Sequence, residues 1–229
     1  MSDTSGAAGP ASTALLLGAT GLVGGHVLDL LLADPAYRRV TVLTRRPLAR
    51  MDSKLDQRTA DFDRLRDHEI SFAADHVFCC LGTTIAAAGS QPAFRRVDFD
   101  YVVESARLAA EHGARSFLLV TAMGANARSR IFYNRVKGEA EDAVRALPLE
   151  SVVILRPSLL LGEREGVRAG ESMAQRVMPA LEWMLVGPLR PYRAIQASVV
   201  ARAMVRLAKE APRGVRVVES DEIQRIGGA

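Results

Sequence analysis

Tyr133 and Lys137 bracket the run Tyr133-Asn134-Arg135-Val136-Lys137. A spacing of four puts both side chains on one face of a helix, a turn apart. A free phenol titrates at about 10 and is a poor base at neutral pH, and an ammonium beside it favours the phenolate. A tyrosine tuned in this way can pass a proton to or from a carbonyl or alcohol oxygen while hydride moves at the carbon. Upstream, Thr121 ends the apolar run Ser116–Thr121 and carries a hydroxyl able to orient that oxygen.

Such chemistry needs a hydride carrier, and residues 15–25 (Leu-Leu-Leu-Gly-Ala-Thr-Gly-Leu-Val-Gly-Gly) supply a place for one. An apolar strand runs into Gly18, Gly21 and Gly24, and a helical pattern follows (Leu22, Val23, Val27, Leu30, Leu31). Strand, glycine turn and helix together are the context of a dinucleotide fingerprint. Gly18 turns the chain off the strand, Gly21 leaves room for a pyrophosphate, and Gly24 lets the helix pack closely. Thr20, Leu22 and Val23 sit at the helix start, whose unpaired N–H groups and positive dipole end suit phosphates.

The second strand candidate ends in Arg45-Arg46, with Arg45 21 residues past Gly24. An NAD-specific fold places an acid on the ribose 2′-hydroxyl in this zone. Two guanidinium forks suit a 2′-phosphate instead. The expected cofactor is therefore NADP(H), with NAD(H) the less favoured alternative. Leu81-Gly82-Thr83-Thr84 follows another strand, at the carboxyl end where open α/β sheets bind ligands. There Gly82 would admit the cofactor ribose and the threonines would offer hydroxyls.

Other chemistries find no support. His26, His68, His76 and His112 lack metal-ligand spacing, and adjacent Cys79 and Cys80 point to opposite faces of one strand. No G-x-S-x-G elbow is present. The net charge of +4 is scattered, with only three lysines and no basic run interleaved with aromatics, so a nucleic-acid partner is not expected. No apolar stretch approaches membrane-spanning length, and residues 1–12 read as a small polar tail rather than a signal peptide. A reduced cytoplasmic setting, a small-molecule substrate and a monomer or homodimer are expected.

The 229 residues fit one α/β domain. Strands are expected at Ala14–Gly18, Arg39–Thr44, His76–Leu81, Ser116–Thr121, Ser151–Arg156 and Gly214–Glu219, with a weaker one near Arg58–Asp61. Helices are expected at Gly24–Leu32, Gln91–His112, Ile131–Ala146 and Val199–Lys209. Alternation of this kind builds a doubly wound parallel sheet, a Rossmann fold. Residues 162–195, with the sole Trp183, read as a small C-terminal substrate lobe or as a helix pair on the sheet edge.

The G-x-x-G-x-x-G spacing and the strings Cys80–Thr84, Thr121–Ala125 and Phe132–Glu139 resemble the atypical short-chain dehydrogenase/reductases, in particular the TIP30-like, NAD(P)H-binding subgroup. The resemblance spans about residues 13–220. It implies a general acid/base at Tyr133, a ribose contact at Lys137 and a substrate-orienting hydroxyl at Thr121, twelve residues before the tyrosine. Where relatives often carry two serines, this chain has Thr121-Ala122. The resemblance also implies an adenine contact from Asp61, and nicotinamide contacts from the backbone at Pro157 and Ser158. The activity it implies is NADP(H)-dependent oxidoreduction of a carbonyl, alcohol or sugar-like substrate. Because some members regulate, a non-catalytic NADP(H)-sensing protein stands as the alternative.

Overall fold

The structure, a computed structural model, describes residues 11–162 and 193–228. The first half of the chain forms β1 (Ser12–Leu17), α1 (Leu22–Ala33), β2 (Tyr37–Thr44), β3 (Leu55–Thr59), a 3₁₀ segment (Phe62–Phe72) and β4 (His76–Cys79). Next come α2 (Ile85–Ala88), α3 (Gln91–Arg95), a π-helical turn (Arg96–Asp100), α4 (Tyr101–Glu111), β5 (Ser116–Val120) and α5 (Phe132–Arg145). The remainder is β6 (Ser151–Arg156), β7 (Leu160–Leu161), β8 (Ile195–Gln196), α6 (Ala197–Glu210), β9 (Gly214–Glu219) and α7 (Ser220–Gly228).

Seven strands pair in the order β3-β2-β1-β4-β5-β6-β9, every pairing parallel. The chain winds outward from β1 in one direction, then returns to β4 and winds in the other. The crevice between the carboxyl ends of β1 and β4 is the switch point at which such sheets take ligands. β7 and β8 form a separate parallel pair.

Side chains alternate along a strand, and a parallel sheet covered on both faces must be apolar throughout. In β1, Leu16 packs into a core shared with Val23, Val27 and Leu31 of α1 and Met204 and Leu207 of α6. Leu15 and Leu17 enter the opposite core with Phe72, Val102 and Leu108, and with Val144 of α5. All three leucines are fully buried.

β6 and β9 keep their expected bounds, while β3 begins at Leu55 and not near Arg58. The expected tail ends sooner, since Ser12 opens β1 and Arg38 Nε donates to the Ala11 carbonyl at 3.0 Å. The single helix expected over Gln91–His112 is divided by the π turn. Of the expected lobe, residues 163–192 lie outside the described residues.

Candidate functional site

A cleft of about 280 Å³ opens at the switch point. Its floor is the glycine turn Gly18–Gly21, one wall is Leu43–Arg45, and the other is Cys80–Thr84, with Phe62, Val97 and Tyr101 completing it. Gly18 sits at φ +84°, and a Cβ there would overlap the Cys80 carbonyl. A Cβ on Gly24 would overlap the Gly18 carbonyl, so Gly24 fixes α1 against the turn from behind the cleft. Gly21 N donates to Gly18 O at 2.9 Å and closes the turn. Gly21 is also the N-cap of α1, and it offers no side chain to cap the helix. Uncapped N–H groups of a twelve-residue helix therefore stand at the cleft floor. Glycine cradle and open helix end fit a dinucleotide pyrophosphate.

The expected cofactor residues divide into two groups. Gly18, Thr20, Gly21, Arg45, Leu81, Gly82 and Thr83 line the cleft. Leu22, Val23, Gly24, Arg46, Asp61, Tyr133, Lys137, Pro157 and Ser158 do not; Val23 and Gly24 are buried parts of the α1 packing. Among the described residues, the exposed Arg45 and Arg46 side chains have no ion-pair or hydrogen-bond partner. Asp61 is exposed and caps the 3₁₀ segment, accepting from Asp63 N at 3.0 Å. Its neighbour Phe62 lines the cleft instead, with its ring 5.6 Å from that of Tyr101. Tyr101 donates to Asp63 Oδ1 at 2.8 Å; burial, and then this bond, push its hydroxyl pKa up to about 12.

Tyr133 and Lys137 share one face of α5. The Tyr133 ring is half-buried, 5.4 Å from the Phe94 ring of α3, and its hydroxyl has no hydrogen-bond partner among the described residues. Lys137, expected as the ammonium beside the phenol, is buried, with Nζ 2.7 Å from Asp98 Oδ1. Asp98 Oδ2 accepts from Thr83 N at 3.0 Å. Burial pushes the lysine pKa down, but the Asp98 carboxylate and Tyr133 outweigh it and leave the pKa raised. Burial raises the Asp98 pKa, and the ammonium offsets this only in part. Asp98 was missed in the sequence. Its signal is an acid four residues after Phe94 and four before Val102, on an otherwise buried helical stripe.

Thr121, expected to orient the substrate oxygen, is engaged within the protein. Its hydroxyl donates to Glu141 Oε1 at 2.7 Å, and the residue is buried. Glu141, two turns beyond Tyr133 on α5, pairs at 2.5 Å with Arg156 and at 3.0 Å with Arg145. Arg156 also reaches Glu219 of β9 at 3.0 Å. Glu141 foremost, then Glu219, raise the Arg156 pKa. The hydroxyl thus serves a clamp joining α5 to the ends of β5, β6 and β9.

The groups expected to meet a nicotinamide are likewise engaged within the protein. Pro157 O accepts from Met123 N at 2.9 Å, and Ser158 N donates to Ser220 Oγ at 3.1 Å. The Ser158 hydroxyl donates to Arg193 O.

Residues 18–179 match the family described as NAD(P)H-binding. With the Rossmann sheet and the glycine cradle, this makes the chain a member of that family, an atypical short-chain dehydrogenase/reductase of the TIP30-like subgroup. Protein HTATIP2 of Rattus norvegicus is 36% identical over 170 residues, covering 72% of this chain and 70% of its own. Protein FMP52, mitochondrial, of Candida albicans is 36% identical over 222 residues, 93% of each chain. Its Aspergillus clavatus counterpart is 34% identical over 229 residues, 93% of this chain and 97% of its own. These fungal relatives are named mitochondrial, which overturns the cytoplasmic setting expected from the cysteines.

Among solved structures, MoeE5 in complex with UDP-glucose and NAD superposes with a TM-score of 0.69 at 18% identity, covering 94% of this chain and 81% of that one. The Bordetella bronchiseptica enzyme WbmH in complex with NAD+ gives 0.68 at 14%, covering 91% and 75%. At such identities the likeness is one of fold.

Proposed function

We propose that this protein is an NADP(H)-dependent oxidoreductase acting on a carbonyl, alcohol or sugar-like substrate. The observation that carries the reading is one continuous arrangement. A cleft begins at the exposed Arg45, crosses an uncapped helix N-terminus and ends at Gly82, beneath which lies the Lys137 ammonium of the Tyr133 helix. Arg45, with Arg46 beside it, would hold the 2′-phosphate, the glycine turn the pyrophosphate, and Lys137 the ribose hydroxyls. The Phe62–Tyr101 pair offers an apolar wall for the adenine.

When bound, the nicotinamide supplies or accepts the hydride. Tyr133 does the accompanying proton work. In reduction its hydroxyl gives a proton to the carbonyl oxygen as the carbon gains hydride, and in oxidation the phenolate takes that proton from the alcohol. The lack of a hydrogen bond to the Tyr133 hydroxyl among the described residues supports this role.

Titration with NADPH and NADH tests the cofactor, and tighter NADPH binding is expected. A carbonyl panel monitored by NADPH oxidation then tests the reaction. Tyr133→Phe is expected to slow turnover by about a hundredfold or more, and undiminished turnover would exclude the tyrosine.

One observation favours a second reading, an NADP(H)-sensing regulatory protein without turnover: the Thr121 hydroxyl is committed to Glu141 and Ala122 carries none. That reading expects NADPH binding with no oxidation of the cofactor by any carbonyl tried.

A further inference from the structure

Asp98 lies in the π-helical turn and is 1% exposed. Turns of this kind gather at functional sites, because they aim a side chain where regular helix would not. The carboxylate serves two elements at once: Oδ1 meets Lys137 of α5, and Oδ2 accepts from Thr83 N in the cleft wall. Gly82 lies directly over the pair. A Cβ there would stand 3.5 Å from both Asp98 Oδ1 and Lys137 Nζ, so Gly82 puts no side chain between these charges and the cleft.

A buried ammonium is stable only beside a counter-charge. Among the described residues, the titratable groups facing Lys137 are Asp98 from the π turn, Tyr133 from its own helix and Cys79 from β4. Burial holds the Cys79 thiol pKa up at about 12, so that group is neutral near pH 8. Asp98 is therefore the carboxylate that keeps the ammonium charged.

We propose that Asp98 is a positioning residue that holds Lys137 charged against the Gly82–Thr83 turn, so that NADP(H) affinity stays level through the pH range in which an unpaired buried lysine would lose its proton. The inference rests on the NADP(H) reading above. A merely structural pair would affect stability and leave the pH dependence of binding untouched.

The test is the NADPH dissociation constant of the full chain, read by nucleotide fluorescence, for wild type and D98N. A second ligand, 2′,5′-ADP, lacks the nicotinamide-side ribose. Wild-type affinity is expected to change by less than about twofold between about pH 7 and about pH 9. D98N is expected to lose about tenfold over that range, as burial pulls down the pKa of a lysine that has lost its counter-ion. Binding of 2′,5′-ADP is expected to be the same in both proteins and level with pH.

A level D98N profile for NADPH overturns the proposal, as does an equal loss for 2′,5′-ADP. If wild type binds 2′,5′-ADP and NADPH not at all, both the proposal and the NADP(H) reading fail. Should D98N not fold, D98N/K137M buries no unpaired charge and is expected to bind NADPH weakly with a level profile; a sloping one overturns the proposal. A wild-type profile that itself falls about tenfold over the same range overturns it without any variant.

Discussion

At the carboxyl ends of the strands, the buried carboxylates Asp98 and Glu141 are each matched by a cation, Lys137 and Arg156. At the amino ends, the buried polar side chains among the described residues are neutral. His76, first in β4, has its Nδ1 2.7 Å from the hydroxyl of Ser116, first in β5. The Tyr37 hydroxyl and Ser151 Oγ, at the starts of β2 and β6, are buried without a hydrogen-bond partner among the described residues. Asp75, the carboxylate beside His76, is only part-buried and accepts from Thr13 N at 2.8 Å and Thr13 Oγ1 at 2.9 Å. Burial raises its pKa, but the bonds from Thr13, helped by His76 and Arg115, outweigh that and leave it lowered. The Asp75 charge is thus held at the rim of the sheet.

Burying an ion costs far more than burying a neutral hydrogen-bonded group, unless the ion is paired. Among the described residues, charge is therefore kept inside only at the end of the sheet where the ligand cleft lies, and each charge there fastens α5 or the cleft wall.

The sharpest way to break this contrast is at Glu141. Glu141→Leu leaves the Arg156 guanidinium and the Thr121 hydroxyl without their shared acceptor. It is expected to cost about 3–5 kcal/mol in chemical denaturation. A cost below about 1 kcal/mol would mean that the carboxyl edge is held by packing and not by charge.

The amino edge should fail to acid instead. Burial pushes the His76 pKa down to about 4 from an ordinary 6.5. A base with a depressed folded pKa gives its full stability above the unfolded value, and that stability is lost as pH falls from 6.5 toward 4. The loss reaches about 3 kcal/mol at the acid end. Wild type should therefore lose more stability over that window than His76→Gln, and parallel losses would remove His76 as the cause. The smallest effect is expected at Arg213 and Glu150, an exposed pair 3.5 Å apart on the amino edge. Arg213→Ala should leave the denaturation midpoint within error, because exposed pairs contribute little.

Most of the fold was legible because its signals are local. Apolar runs give the strands, Gly18 and Gly24 mark a turn and a close helix contact, and Tyr133 and Lys137 share a face by helical spacing alone. What escaped depends on contacts distant in sequence. The choice of the Thr121 hydroxyl for Glu141 is a pairing across twenty residues. The Pro157 and Ser158 bonds reach Met123 and Ser220. Helical spacing puts Asp98 on the stripe of Phe94 and Val102, but its partners Lys137 and Thr83 lie far along the chain, and the π turn leaves no composition signal of its own. β7 and β8 are two residues each, too short to show alternation.

That π turn also governs phase. An α-helix advances about 100° per residue, so removing one residue from Arg96–Asp100 to restore regular helix would rotate everything after it by about that angle relative to everything before. Phe94, behind the Tyr133 ring, precedes the turn, and Tyr101, in the cleft wall, follows it. The backing of the Tyr133 ring and the cleft wall are therefore kept in step by a single inserted residue, and a one-residue deletion here would put them out of step even if both helices survived.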